Sequence, residues 1–138
     1  MDIYYFTYTG TSKKIAEWLS KKLNIRPKEI KTYKLPYLIW LFLSFFPYLP
    51  FKATFDPPSN KTIILCFPKW TFNCPPVTYF LKKVHYEKLF LVISYKGWGE
   101  KLYYRLYYKL TYKKTKEIKI IFIKKKLWEA GIFPEIEF

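Results

Sequence analysis

Ile3-Tyr4-Tyr5-Phe6-Thr7-Tyr8-Thr9-Gly10-Thr11-Ser12 is the stretch that decides the fold, and Lys13–Leu23 follows it without a break. The first five residues, Ile3–Thr7, form an apolar and aromatic run that reads as a buried strand. Thr7–Ser12 is turn-like, rich in hydroxyls and centred on Gly10. Lys13–Leu23 then has helical periodicity, with Ile15, Leu19 and Leu23 on one stripe beside Trp18 and Ser12 as the expected N-cap. A strand that passes through such a turn straight into a helix makes an anion site. Backbone N–H groups at a helix start point outward, and the helix dipole adds to their field. Gly10 lets the backbone approach a bound group closely. Thr7, Thr9, Thr11 and Ser12 can donate hydroxyl hydrogen bonds to phosphate oxygens.

The same alternation continues outward from this unit. Glu29–Lys34 reads as a short second strand. Thr62–Phe67 is a continuous apolar run of the kind buried on both faces of a parallel sheet. Pro75 or Pro76 opens a helix to about Val84, with Val77, Phe80 and Leu81 inward. Lys88–Ser94 is another buried strand, Tyr95–Gly99 a loop, and Glu100–Tyr112 a helix with Leu102, Leu106 and Leu110 at i+4. Glu117–Ile123 is the last strand. This order predicts one α/β domain over residues 1–138, with a five-stranded parallel sheet and helices on both faces. The tail Lys124–Phe138 is too short and interrupted for a full final helix, so a shortened C-terminus is expected.

Thr7-Tyr8-Thr9-Gly10-Thr11-Ser12, followed by Lys-Lys-Ile-Ala-Glu-Trp-Leu, resembles the phosphate turn of the flavodoxin family, [ST]-x-T-G-x-[ST] before an amphipathic helix. Phe67–Pro76 resembles that family's second flavin loop, and Phe80-Leu81-Lys82 stands where its helix ending belongs. Asn73 occupies a place where the family usually has glycine. Ser94–Gly99 matches the third loop more loosely. The resemblance implies a flavodoxin-like fold and FMN as the cofactor. It implies that Thr7, Tyr8, Thr9, Gly10, Thr11 and Ser12 hold the phosphate. Trp70 would lie against the ring, with Pro68, Lys69, Thr71 and Asn73 in the same loop. Tyr95 or Trp98 would cover the other side, with Gly97 and Gly99 presenting backbone N–H groups. Three loops at the carboxyl ends of parallel strands would then converge on one crevice.

Leu35–Phe51 (LPYLIWLFLSFFPYLPF) departs from the family pattern, standing in place of its second helix without a single charged residue. Pro36, Pro47 and Pro50 leave too short an interval to span a bilayer, which needs about 20 helical residues. Three readings stay open: a helix packed on the sheet whose apolar excess closes a homodimer, a peripheral membrane contact, or a docking site for another protein. Trp40, Phe42, Phe45 and Phe46 are the residues to test. Lys31, Lys34 and Lys52 flank it, which suits anionic headgroups.

The formal charge of +15 points to an anionic counterpart, such as an acidic redox partner, or else to the compositional drift of an AT-rich genome, with abundant lysine and no glutamine. The helix at Glu100–Tyr112 carries Lys101, Arg105, Lys109 and Lys113 beside Tyr104, Tyr108 and Tyr112. Without an accompanying nucleic-acid motif, this reads as a solvated face. Cys66 and Cys74, eight apart with only His85 for company, do not make a metal site and are expected as free thiols. His85 reads as a solvated residue near a helix end. No leader-like segment opens the chain, so a cytoplasmic or membrane-associated location is expected. Acids are few and scattered, and no Ser–His–Asp set, paired carboxylates or metal cluster supports hydrolytic chemistry. The expected function is electron transfer. The alternatives are a flavin-free shell acting through its apolar segment, or an NAD(P)H-dependent flavin or quinone reductase.

Overall fold

A computed structural model describes residues 1–136. The element order is β1 (Asp2–Tyr5), α1 (Thr11–Leu23), β2 (Pro27–Glu29), β3 (Lys31–Thr32), α2 (Tyr37–Ser44), β4 (Ala53–Thr54), β5 (Thr62–Pro68), α3 (Pro75–Lys83), β6 (Lys88–Tyr95), α4 (Glu100–Thr111), β7 (Glu117–Lys124) and α5 (Lys125–Glu129). Five strands form one all-parallel sheet in the order β2-β1-β5-β6-β7. Counting only its own strands, the sheet is ordered 2-1-3-4-5, the flavodoxin-like arrangement, with its switch point between β1 and β5.

The pleat sorts the core into two layers. Ile3, Tyr5, Ile64, Cys66, Phe90 and Val92 face Ile15, Ala16 and Leu19 of α1. Tyr4, Phe6, Ile63, Leu65, Phe67, Leu89, Leu91 and Ile93 face Val77, Phe80 and Leu81 of α3 and Tyr103 and Tyr107 of α4. The central strands are therefore apolar on both sides, as their uninterrupted runs predict. At the foot of β1 the buried Asp2 carboxylate accepts hydrogen bonds from the Ser59 and Asn60 amides (both 2.9 Å) and the Ser59 hydroxyl (3.1 Å), with Lys28 Nζ at 3.6 Å. Burial pushes its pKa up, but the bonds from Asn60 and Ser59 and the charge of Lys28 outweigh that, and the net shift is downward. A depressed carboxyl pKa stabilises the fold above the ordinary carboxylate value, and the gain disappears as pH falls through the folded-state value. Asp2→Ala should cost about 2 kcal/mol at neutral pH, and the cost should shrink as pH falls through the lowered folded-state pKa of Asp2, as read from urea melts across pH.

Several expectations need correction. The second strand does not run Glu29–Lys34. The sheet strand is β2, Pro27–Glu29, and the chain then turns so that β3 pairs antiparallel with β4 in a separate ribbon. Pro27 is tolerated because it starts an edge strand, where its missing N–H breaks no ladder bond. On α4 the inward stripe is Tyr103, Tyr107 and Thr111, not Leu102, Leu106 and Leu110; Leu102 is exposed. The tyrosines win because Tyr107 packs on Phe67 and its hydroxyl accepts a bond from the Cys74 amide at 2.9 Å. Ser12 is not the N-cap of α1; Gly10 is. Cys66 and Cys74 are free and buried, and burial pushes both thiols up, away from the reactive thiolate form. His85 is exposed just beyond α3, and the final helix is the short α5.

Candidate functional site

β1 ends at the sheet's switch point, and the chain there must reverse into α1. Gly10 makes the reversal with φ +100°, a left-handed conformation that glycine adopts without strain. The Gly10 amide donates to Thr7 Oγ1 at 2.9 Å, which folds the turn on itself. The first helical bond runs from the Lys14 amide to the Gly10 carbonyl, so the amides of Thr11, Ser12 and Lys13 precede the helical ladder. No side chain caps them, and the first turn of α1 contains no acid. The Thr7, Thr9, Thr11 and Ser12 hydroxyls surround this positive helix end, and Ser12 Oγ lies 3.4 Å from Ser94 Oγ at the end of β6.

This turn forms one side of a cavity of about 410 Å³. That volume is within the range of small-molecule sites, about 300–1,000 Å³. Its lining contains Lys69, Lys96 and Lys125 and no acidic residue. The partly buried Lys69 has its pKa lowered by desolvation, an effect that the nearby Glu100 carboxylate only partly offsets. The field inside is therefore positive, from three ammonium groups and one helix dipole.

Thr7, Tyr8, Thr9, Thr11, Ser12, Pro68, Lys69, Trp70, Thr71, Tyr95 and Trp98 all line this cavity, which brings the three loops together. Gly10, Gly97 and Gly99 shape its loops without lining it. Gly99, at φ +72°, caps α4, and a side chain there would press on the Lys69 ammonium, 3.2 Å from the Cβ position. Asn73 stands apart from the cavity. Its amide nitrogen donates to the Leu49 carbonyl at 2.8 Å and its amide oxygen accepts from the Thr78 hydroxyl, so both ends of the side chain are engaged in holding the loop. Trp98 sits at the rim, with Lys69 Nζ 4.1 Å from its ring centre. Tyr95 leans on Phe122, 5.3 Å between ring centres.

The residues that sequence reasoning missed come mainly from the apolar segment. Tyr37, Trp40, Leu41 and Ser44 of α2 line the cavity. Their spacing of i, i+3, i+4 and i+7 marks one helix face, a signal that uniform hydrophobicity conceals. Trp40 is 3% exposed and packs against Trp70 (5.6 Å) and Phe51 (5.1 Å). Trp70 in turn meets Phe6 and Tyr8 edge-on at 5.5 and 6.0 Å. Aromatic side chains thus line the same cavity as the phosphate-type turn. The segment is fastened to the second loop by backbone as well as side chains. The Phe72 amide donates to the Ser44 carbonyl (3.0 Å), the Phe51 amide to the Pro75 carbonyl (3.1 Å), and Lys82 Nζ to the Tyr48 carbonyl (2.8 Å). The segment that lay outside the family pattern is therefore a wall of the site. Ser94, Lys96 and Lys125 complete the lining. Among the described residues, no cluster of His, Cys, Asp and Glu has the makings of a metal site. The chemistry available is recognition of an anion joined to a flat apolar body.

No family model matches the chain. An uncharacterised protein of Archaeoglobus fulgidus is 51% identical over 104 residues, covering 75% of this chain and 70% of that protein. Among solved structures, a flavoprotein of Lactobacillus acidophilus in complex with FMN superposes with a TM-score of 0.70 at 16% identity, over 94% of each chain. A Bacteroides uniformis protein provisionally named a flavoprotein gives a TM-score of 0.74 at 14% identity, over 95% of this chain and 94% of its own. At these identities the structural likeness is one of fold, and it agrees with the strand order.

Proposed function

This chain belongs to one family with the Archaeoglobus fulgidus protein and has a flavodoxin-like fold, and from that premise we propose that it binds FMN and serves in electron transfer. One observation carries the reading: a hydroxyl-lined, acid-free helix start shares one cavity with the aromatic side chains of Trp40 and Trp70. The donor set fits the cofactor. The amides of Thr11, Ser12 and Lys13 and the hydroxyls of Thr7, Thr9, Thr11 and Ser12 suit a phosphate dianion. Trp70, backed by Trp40, offers an aromatic surface to a flat ring. Tyr8 and Trp98 stand at the rim.

FMN supplies the redox chemistry when bound, and the protein supplies binding and tuning. Lys69 and Lys96 favour negative charge on a bound ring, and Trp98 and Tyr37 limit the access of water to it. Bound FMN should accordingly be easier to reduce fully than in an acidic flavodoxin. Potentiometric titration checks this: Lys96→Gln should lower the fully reduced couple, and a parent couple as low as those of acidic flavodoxins would overturn the tuning argument. Binding itself is checked by titrating the protein into FMN. Quenching of flavin fluorescence at micromolar protein or below is expected, and unquenched fluorescence would favour the flavin-free reading. The Lactobacillus acidophilus flavoprotein's FMN complex supports the same assignment by fold. Steady-state NADPH oxidation with a quinone acceptor separates a carrier from a reductase.

A further inference from the structure

The outward side of α2 is apolar and exposed. Leu38 is 74% exposed and Phe42 62%, and Ile39, Phe45 and Phe46 are exposed with them. Only Trp40 and Ser44 of this helix are buried. One face of α2 closes the cavity and the other meets solvent, with Tyr37 at their shared rim. Between Ile30 and Phe55 the chain contains no Asp or Glu; its only charges are Lys31, Lys34 and Lys52, all exposed. No helix among the described residues is long and apolar enough to cross a membrane.

We infer that this face is an in-plane anchor for an anionic lipid surface. Aromatic and leucine side chains enter the boundary between headgroups and acyl chains, while the flanking lysines reach the anionic headgroups. Charge selects this occupant over a second copy of the chain. A two-fold contact through the patch would set its lysine rim against the same rim on a molecule that also carries +15. An anionic bilayer offers both the apolar depth and the opposite charge. Helix length fits as well: α2 is about two turns long, is followed by Phe45-Phe46-Pro47, and is tied to the second loop at its last residue, where the Ser44 carbonyl accepts from the Phe72 amide.

Flotation of the full chain with vesicles tests the inference, and it does so whether or not the cavity holds a flavin. The protein should float with phosphatidylcholine–phosphatidylglycerol vesicles and stay behind with phosphatidylcholine alone. Leu38→Ser/Phe42→Ser/Phe46→Ser should lower partitioning at least about tenfold. Lys31→Glu/Lys34→Glu/Lys52→Glu should lower it by about a hundredfold, at roughly fivefold per lysine. Unchanged thermal melts and FMN titrations confirm that both variants are folded. Three results would overturn the anchor: no flotation with anionic vesicles; flotation indifferent to the serine substitutions, which means adsorption by charge alone; or a dimer in sedimentation equilibrium that those substitutions dissolve.

Discussion

Thr11→Asp is expected to weaken FMN binding by about a hundredfold or more while leaving the melting temperature unchanged or slightly raised. Thr11 is the first residue of α1, and its side chain lines the cavity beside the uncapped helix start. A carboxylate there complements the helix dipole, a gain of about 0.3–1 kcal/mol for the fold. The same carboxylate competes with a phosphate for the same amides and repels it. At an effective dielectric of about 20, each contact between like unit charges costs about 4 kcal/mol, so a hundredfold loss, about 2.7 kcal/mol, is a modest figure. Stability and affinity thus move in opposite directions, which no general damage to the fold would produce. Riboflavin, which has the ring and not the phosphate, supplies the control: its affinity should change little. Thr11→Val removes only the hydroxyl and should cost about tenfold or less. Equal losses for FMN and riboflavin would remove the phosphate from the turn.

Trp40→Ala should destabilise the protein by about 3–5 kcal/mol, the usual cost of emptying a large buried aromatic site. The indole is almost fully enclosed between Trp70, Phe51 and the cavity. Its loss also removes the backing of Trp70, and FMN affinity should fall by up to about tenfold with it. Phe42→Ala, two residues on but on the exposed side of the helix, should stay within about 0.5 kcal/mol of the parent and leave FMN binding unchanged. Urea melts and fluorescence titrations on the pair measure both effects. Two aromatic residues in one short helix, with such different consequences, test whether α2 is a wall of the site or an appendage.

The sheet was legible because its strands are chemically unambiguous. Thr62–Phe67 and Lys88–Ser94 have the continuous apolar character that only a doubly covered parallel strand requires. The turn at Thr7–Ser12 was legible for a different reason: glycine and hydroxyls between a strand and a helix have few other uses. Periodicity was less decisive on α4. Leu102, Leu106 and Leu110 share their spacing with Tyr103, Tyr107 and Thr111, one residue away, and a period cannot say which of two adjacent stripes turns inward. Tertiary partners decide, here Phe67 and the Cys74 amide. Asn73 shows the role of tertiary partners too. Its position in the second loop suggests contact with a ligand, and its side-chain amide bridges Leu49 and Thr78. Leu35–Phe51 was hardest to read, because a stretch apolar throughout contains no contrast from which to pick a face. Structure supplies the contrast: Trp40, Leu41 and Ser44 turn inward, Tyr37 stands at the rim, and Leu38, Phe42 and Phe46 turn outward.

The small ribbon of β3 and β4 closes that segment at its base. Lys31 pairs with Thr54 and Thr32 with Ala53, and the Thr32 hydroxyl adds a bond to the Lys52 carbonyl at 2.8 Å, so the excursion leaves and rejoins the body at nearly one point. Everything between the two strands is a closed detour from an otherwise regular βα alternation. Such a detour can be exchanged as a cassette: related chains could lengthen, shorten or recompose it while β1, β5 and the phosphate-type turn keep their places. Ligand admission and surface character would then evolve together, since both are written on opposite sides of one eight-residue helix.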